Sequence, residues 1–444
     1  MKLSSHPTVK IYNENRKGSK SGVTVAAYDM VKQIAIDAGA DDVGLIEFSR
    51  APVIEHHTDL LSVMHDTKSL MILALRINRN ALRSIPHSVA DQEFQRVWGN
   101  YKTLSGQVVE KLNEAGIKAV AMPAGFPMEM KRWPETVWMT NEKLFAVEAG
   151  LGQMGVNRLI LHPQYGAAVI FGTILLANEC DHYDSPIDYN PCVECGLCVK
   201  ICPTGAIKRT DTFNFTSCYS HNYRERIGGF LNWVEQVVES KSISNYRKKV
   251  SDGETFSMWQ NLSIGSQTRC DRCISVCPAG ETAIGEYIED RKNYINQYQK
   301  PFKKLPETIY AVKGSDAEQH VREHFPEKSL KLISNGIRPL SIDMFMTSLP
   351  RIFQANQSEG IDAVYHFSFT GDETVNGTVT IKDKNIAVEE GLRGTCNLYV
   401  VADSGTWIRF LSQEVNLFMA IITRKIKIKG SPLLMKDFAK CFPS

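Results

Sequence analysis

The sequence has no apolar run approaching the roughly 20 residues that cross a bilayer, which excludes a membrane-spanning helix. Its opening stretch, MKLSSHPTVKIYNENRKGSK, has no apolar core and no arginine pair, so neither a secretory signal nor a twin-arginine leader is expected. An excess of one charge is also missing: 51 basic against 49 acidic residues leave +2 at pH 7. No nucleic acid and no acidic membrane surface is therefore expected as a partner. Cysteine is not scarce, with eleven residues, but a chain of 444 is far longer than the small secreted domains that dense disulfides staple. A cytoplasmic location is expected, where thiols stay reduced and bind metal.

Residues 1–22 are polar, without periodicity, and read as disordered. From 23 to 180 helices and strands alternate, which argues for an α/β domain. TVAAYDMVKQIAIDA (24–38) has helical apolar spacing and stops at Gly39. DDVGLIEF and SLMILALRI (69–77) read as strands, the second buried on both faces, and a long helix covers about 89–114. Residues 181–300 hold the cysteine motifs, and 301–344 read as a connecting segment with some helix. From 345 to 444, strand patterns are followed by SGTWIRFLSQEVNLFMAIIT (404–423). That stretch reads as one amphipathic helix capped by Ser404, burying Trp407, Phe410, Leu411, Val415, Phe418 and Ile422. The chain is thus an α+β multi-domain protein.

The chemistry lies in CVECGLCVKICP (192–203) and CDRCISVCPAG (270–280). Thiolates two residues apart in a loop wrap one face of an iron–sulfur cubane, and a later Cys–Pro sends its sulfur to a second cluster. The second motif has one cysteine too few, and Cys218, between the motifs, is the best candidate to complete it. The expected sets are Cys192, Cys195, Cys198 and Cys277 for one [4Fe–4S] cluster, and Cys202, Cys218, Cys270 and Cys273 for the other. Zinc sites pair two CxxC units across a gap and need neither a third cysteine at that spacing nor two Cys–Pro units. Cys180, Cys396 and Cys441 read as incidental thiols.

The segment before and through the clusters carries AGLGQMG (149–155), HPQYG (162–166), FGTILL (171–176) and DSPID (184–188). With the cluster motifs, these make roughly residues 24–290 resemble the corrinoid-dependent iron–sulfur reductases, meaning epoxyqueuosine reductase and the reductive dehalogenases. The resemblance implies a nitroreductase-like α/β domain holding base-off cobalamin, with electrons passing through both clusters to it. It implies a corrinoid region around Gly150, Gly152, Gly155, Tyr165 and Gly166. There is no DxHxxG run to supply a histidine to cobalt, in keeping with base-off binding. Epoxyqueuosine reductases carry a proton-donating aspartate a dozen residues before AGLG, where this chain has Thr136. The proton donor is sought instead among Glu135, Tyr165, Tyr219, His221 and Tyr223. GFPMEMKRW (125–133) is either a pocket wall over a planar cofactor or core filler.

Residues from about 345 onward resemble a sterol carrier protein type-two domain, through AVYHFSFTG (363–371), GTVTIKDKNIAVEEG (377–391), NLYVVADSGTWIRFLSQEVNLFMAII (397–422) and KIKIKGSPLLMKDF (425–438). That implies a five-stranded sheet backed by helices around an apolar tunnel for a lipid or other hydrophobic ligand; dimerisation of two copies is the alternative role. The expected function is a corrinoid-dependent reductase acting on a hydrophobic substrate and fed by a low-potential donor of the ferredoxin or flavodoxin kind. The competing readings are a cluster-only electron-transfer protein and a lipid-binding module with structural clusters. Deleting 345–444 is expected to separate them.

Overall fold

The computed structural model describes residues 3–16, 25–132, 138–209, 212–265 and 269–443. Helix α1, Pro7–Arg16, corrects the expectation of disorder at the N-terminus. It buries none of its described residues, so it owes its form to local propensity and not to packing. Helix α2, Tyr28–Ala38, ends as expected at Gly39, whose φ of 108° is the left-handed turn that glycine adopts without strain.

The N-terminal domain is built on a four-stranded sheet, β1 Asp42–Glu47, β2 Ser69–Arg76, β3 Ala119–Ala121 and β4 Val169–Leu176, in the order β1-β2-β4-β3. Every pairing is antiparallel. β4 is buried along its whole length and β2 up to Arg76. A strand covered on both faces has no wet side to alternate with, which is why SLMILALRI reads as a continuous apolar run. Helix α3, His87–Glu114, packs with α2 on one face through Val31, Val97, Tyr101, Leu104 and Val108. The other face is closed by Leu60, Phe145, Ala146 and Ala149, the last three on or beside helix α4, Glu142–Glu148.

The first cysteine motif leads into a short helix, α5 Leu197–Ile201, and Cys218 lies on α6 Phe215–Asn222. Three helices, Ile227–Val238, Ile243–Lys249 and Asp252–Ile264, intervene before the second motif. The segment 301–344 is more than a connector. Strands Thr308–Val312 and Ser329–Ile333 pair in parallel around the helix Asp316–His324, with Ile309, Val321 and Phe325 buried between them. Its charge belongs to the solvent face of that helix, which masks the small apolar core beneath.

The C-terminal sheet has five strands, in the order 385–390, 376–382, 363–370, 398–403, 426–430. Only the central pair, 363–370 with 398–403, is parallel. The expected long helix is two, Ser404–Leu411 and Leu417–Ile422. Gln413 at φ 62° breaks the run, and Asn416 caps the second piece by accepting from the Phe418 N–H at 2.8 Å. The break rotates the second helix, so that Ala420 faces the core while Phe418 is 69% and Ile422 58% exposed. The cap of the first helix is Asp403, which accepts from the Thr406 N–H at 2.9 Å, and not Ser404.

This module is fastened to α6. Gln354, fully buried, accepts at Oε1 from Asn214 Nδ2 (3.1 Å) and from the Asp316 N–H (3.0 Å), and its own N–H donates to Cys441 O (2.9 Å). Thr216 Oγ1 donates to Arg351 O at 3.1 Å. Asn214 is the N-cap of the helix that carries Cys218.

Candidate metal centre

Two tight turns shape the first motif. Glu194 (φ 49°) and Gly196 (φ 72°) are left-handed, and a Cβ at Gly196 would lie 2.4 Å from Arg209 Nη2. The turn delivers Cys192, Cys195 and Cys198 to one recess, whose other walls include Asn157, Leu161, Cys277 and Pro278. Val193 and Glu194 form its exposed rim. Asn190 Oδ1 accepts from the Cys192 N–H at 2.9 Å and fixes the approach to the turn.

The remaining thiols gather separately. Cys202 packs with Cys198, Cys218 and Cys273 beside Ala206, Ile207 and Val156. Burial pushes Cys198 and Cys270 up to about 12 and Cys277 to about 11, and it raises Cys195, Cys218 and Cys273 too. Neighbouring thiolates add to this in two sets. Cys198 feels Cys277, Cys195 and Cys192; Cys218 feels Cys202 and Cys270; Cys273 feels Cys270, Cys218 and Cys202. Cys198 lies where the two sets meet, packed against Cys202 and acting on Cys273. Among the described residues, no three His, Cys, Asp or Glu side chains converge on a single-ion position. Cys192, Cys195, Cys198 and Cys277 line one recess.

The flanking glycine loops meet protein. A Cβ at Gly150 would fall 2.6 Å from Ser185 O, at Gly152 2.4 Å from Leu161 O, and at Gly155 2.6 Å from Leu161 Cδ1. Gly166, φ 56°, abuts Ala279 O, so the HPQYG turn lies directly against the Cys277–Pro278–Ala279 turn. Close chain packing therefore accounts for glycine at these four positions. Tyr165 stacks on His162, ring centres 4.9 Å apart, while Arg79 donates to Tyr165 O (2.6 Å) and Cys277 O (2.8 Å) and ties the two turns together.

The expected proton donors separate. Glu135 lies outside the described residues. Tyr219 is buried, stacked on Phe215 at 5.3 Å, with its hydroxyl against Gly228. His221 is buried and its Nδ1 accepts from the Tyr310 N–H at 3.3 Å; burial and then the Arg269 cation hold it down at about 3, so it is neutral at ordinary pH. Both serve the fold. Tyr223 is raised by burial and next by the Cys218 thiolate, with Arg226 opposing, and so faces the second thiol set. The Arg226 guanidinium lies 4.3 Å from the centre of the Phe126 ring, which puts the GFPMEMKRW stretch at this edge of the site.

Glu142 was not apparent from the sequence. Its oxygens accept from Thr140 Oγ1 (2.6 Å) and Thr173 Oγ1 (2.8 Å), and burial pushes its carboxyl up to about 7 against the pull of those hydroxyls. A glutamate at a helix start is ordinarily a dipole partner, and nothing in TNEK marks it as desolvated. Next to it, the Lys143 ammonium donates to Arg158 O at 2.7 Å and is lowered by burial, with Cys218 and Cys273 drawing it back up.

In the C-terminal module, Trp407 packs edge-on against Phe345, Phe367 and Phe369 at 5.5–5.8 Å. Trp407 Nε1 and Tyr365 Oη are buried there without a hydrogen-bond partner. No helix among the described residues is long and apolar enough to cross a membrane.

Comparison with known proteins assigns residues 185–208 to the 4Fe-4S binding domain family and 351–443 to the SCP-2 sterol transfer family. The chain is 26% identical over 232 residues to an epoxyqueuosine reductase of Bacillus anthracis, covering 51% of this chain and 52% of that one. It is 27% identical over 265 residues to the epoxyqueuosine reductase of Listeria monocytogenes, covering 58% and 60%. The chain thus spans about half the length of the curated relatives it matches. Solved structures similar to it include a catabolic reductive dehalogenase (TM-score 0.37, 13% identity, 61% of this chain and 34% of that one). Another is an epoxyqueuosine reductase with an epoxyqueuosine-modified tRNA stem loop (TM-score 0.32, 17% identity, 57% and 65%). That complex corrects the expectation that nucleic acid is excluded: net charge near zero says nothing about one face of a molecule. The chain is similar to the epoxyqueuosine reductases across its iron–sulfur portion and to the SCP-2 sterol transfer family at its C-terminal end.

Proposed function

We propose that this protein is an iron–sulfur reductase that holds two [4Fe–4S] clusters, accepts a corrinoid against the second, and reduces or reductively cleaves a hydrophobic organic substrate. The observation that carries this reading is the gathering of the eight motif cysteines into two groups, one lining a recess and the other in a buried cluster. Cys192, Cys195, Cys198 and Cys277 are assigned to one cluster, and Cys202, Cys218, Cys270 and Cys273 to the other. The donor chemistry fits: thiols kept protonated by burial release protons as metal binds, and the first set lines a recess. A compartment that keeps thiols reduced is part of the reading, and none of the eleven cysteines is in a disulfide.

The corrinoid is assigned to the side of the second set bounded by Phe126, Lys143, Tyr223 and Arg226. When bound, it supplies low-potential reducing power to an organic bond. The chain's own residues then do the rest. Arg226 and Lys143 offset negative charge beside the thiolates. Glu142, near 7, is poised to hold a proton at Oε1 or Oε2 under neutral conditions. The C-terminal module offers an apolar interior in which the unpartnered Trp407 N–H and Tyr365 hydroxyl await an acceptor, which favours a ligand with an apolar body and one polar group.

The test is anaerobic purification from cells supplied with cobalamin, followed by iron and cobalt analysis and EPR. Two clusters and one cobalt per chain support the reading. Two clusters with no cobalt leave the cluster-only electron-transfer protein. A chain without iron removes both.

A further inference from the structure

Between Cys218 and Cys270 run the three helices α7 Ile227–Val238, α8 Ile243–Lys249 and α9 Asp252–Ile264. An ordinary surface helix turns its apolar stripe inward; α7 and α9 do the reverse. Apart from the buried Met258, the side chains that anchor α9 to the protein are polar. Glu254 accepts from Lys331 Nζ (2.6 Å) and Tyr310 Oη (2.9 Å), and Asn261 Nδ2 donates to Glu225 O. At about 100° per residue, Phe256, Trp259 and Leu262 fall on the opposite side of the helix, and all three are exposed, Phe256 by 70% and Trp259 by 60%. On α7 the buried Asn232 accepts from Arg224 Nη1 (3.0 Å) and donates to Ser334 Oγ (2.9 Å). Leu231, Val234 and Val238, three and four residues apart, are exposed on its other side, Val238 by 79%.

The two stripes are neighbours. A single hydroxyl, Tyr246 Oη of α8, accepts from Trp233 Nε1 of α7 at 3.0 Å and lies 2.6 Å from Thr255 Oγ1 of α9. The inner partners Tyr310, Lys331 and Ser334 lie on, or directly follow, the strand pair 308–312 and 329–333. Both helices therefore rest on one base and turn their apolar sides away from it.

Charge selects what covers them. Residues 227–264 hold four cations, Lys241, Arg247, Lys248 and Lys249, and four carboxylates, Glu235, Glu239, Asp252 and Glu254. Glu239 pairs with Lys249 (3.0 Å), Asp252 with Arg247 (3.1 Å), Glu254 with Lys331 (2.6 Å) and Glu235 with Arg338 (2.7 Å). The stretch TFSMWQNLSI (255–264) has no charge at all. Anionic lipid and RNA both call for an excess of cations, and a partner of opposite charge calls for an excess of either sign; this surface has neither. An uncharged apolar stripe is complementary to itself, the requirement of an isologous contact. At about 200 Å² per large side chain, the six exposed residues present on the order of 700 Å². That exceeds what a monomer ordinarily leaves in one apolar patch and falls within the roughly 600–1,000 Å² that each partner of a specific complex buries.

We propose that the outer sides of α7 and α9 are a self-association surface, covered by the same stripes of a second copy of this chain about a two-fold axis, with Phe256 and Trp259 as its aromatic anchors. The experiment uses the full chain, purified anaerobically, and measures its mass by sedimentation and light scattering across a concentration series. The wild type is expected to be a dimer at micromolar concentration. Phe256→Glu/Trp259→Glu should weaken the dimer about a hundredfold or more, since each substitution counts twice across a two-fold axis. Val238→Glu, on the other helix, should weaken it as well, and keeps the test open should the double variant fold poorly. Circular dichroism and iron content of both variants should match the wild type, because none of the three side chains is buried. A wild type that stays single at tens of micromolar would overturn the proposal, and its flotation with phosphatidylglycerol vesicles would give the stripes to lipid instead. A dimer equally tight in correctly folded variants would overturn it too, by placing the contact elsewhere.

Discussion

Replacing Glu142 by glutamine tests whether its carboxyl is desolvated as its surroundings dictate. The side chain lies between two threonine hydroxyls, and burial raises it from the ordinary 4.5 to about 7. A carboxyl that binds its proton more tightly when folded favours the folded state only while protonated. Stability is therefore whole below about pH 4.5, falls as pH rises toward 7, and stays low above it. The full penalty is about 3 kcal/mol, since each tenfold gain in proton affinity is worth about 1.4 kcal/mol. Glutamine cannot ionise; it keeps one hydroxyl contact and reorients the other, at a cost of about 1 kcal/mol. At pH 8 the variant should thus be more stable than the wild type by about 2 kcal/mol, and at pH 5 the two should agree within about 1 kcal/mol. Amide hydrogen exchange along β4, which carries Thr173, reads the local free energy at both pH values, and intrinsic exchange rates cancel in the comparison. A wild-type-to-variant difference that stays the same at pH 5 and pH 8 would refute the reasoning, because it would mean that Glu142 ionises as an exposed glutamate does.

Cys218→Ala should leave roughly half the iron, with the EPR signal of a single cluster; retention of both clusters would exclude Cys218 as a ligand. His221, held at about 3, is a histidine whose folded form resists protonation, so it contributes stability above pH 6.5 that is lost as pH falls below it. His221→Phe should therefore unfold at lower pH than the wild type by circular dichroism, while losing about 1–2 kcal/mol at pH 7 from the unpaired Tyr310 N–H. Gln354→Leu leaves the Asn214 amide and the Asp316 N–H without their acceptor and should cost about 2–4 kcal/mol in chemical unfolding; it should also lower iron occupancy of the second set more than that of the first. Equal loss from both sets would show that α6 does not depend on this contact.

The cysteine motifs were legible because ligand spacing is a local constraint: Cys192, Cys195 and Cys198 need only one turn to share a recess. Arithmetic pointed to Cys218, since one sulfur was missing, and the structure sets it beside Cys202 and Cys273. The strands were legible where burial imposed an apolar run, as in β2. What escaped depends on contacts distant in sequence. Glu142 acquires its character from burial against strands distant in sequence, among them β4, whose Thr173 is 31 residues away. The long helix at 404–423 failed because an apolar stripe does not reveal a single left-handed residue, Gln413, that turns Phe418 and Ile422 outward. The corrinoid region that the resemblance implied at AGLGQMG packs closely: Gly150 is set against Ser185 and Gly152 and Gly155 against Leu161, contacts that a glycine-rich turn alone does not reveal. The exclusion of nucleic acid failed because a sum of charges discards their positions.

The seam at Gln354 has a consequence for how the molecule came together and how it can be taken apart. A module attached as an independent passenger would leave its host intact when removed. Here the cap residue of the helix bearing Cys218 shares its partner with the module's own terminus, through Asn214, Gln354 and Cys441. Cutting away residues 345–444 would therefore withdraw a support of the second thiol set along with the apolar interior. Truncation cannot assign separate duties to the two halves; only substitutions confined to the aromatic interior, around Phe367 and Trp407, can silence one while sparing the other.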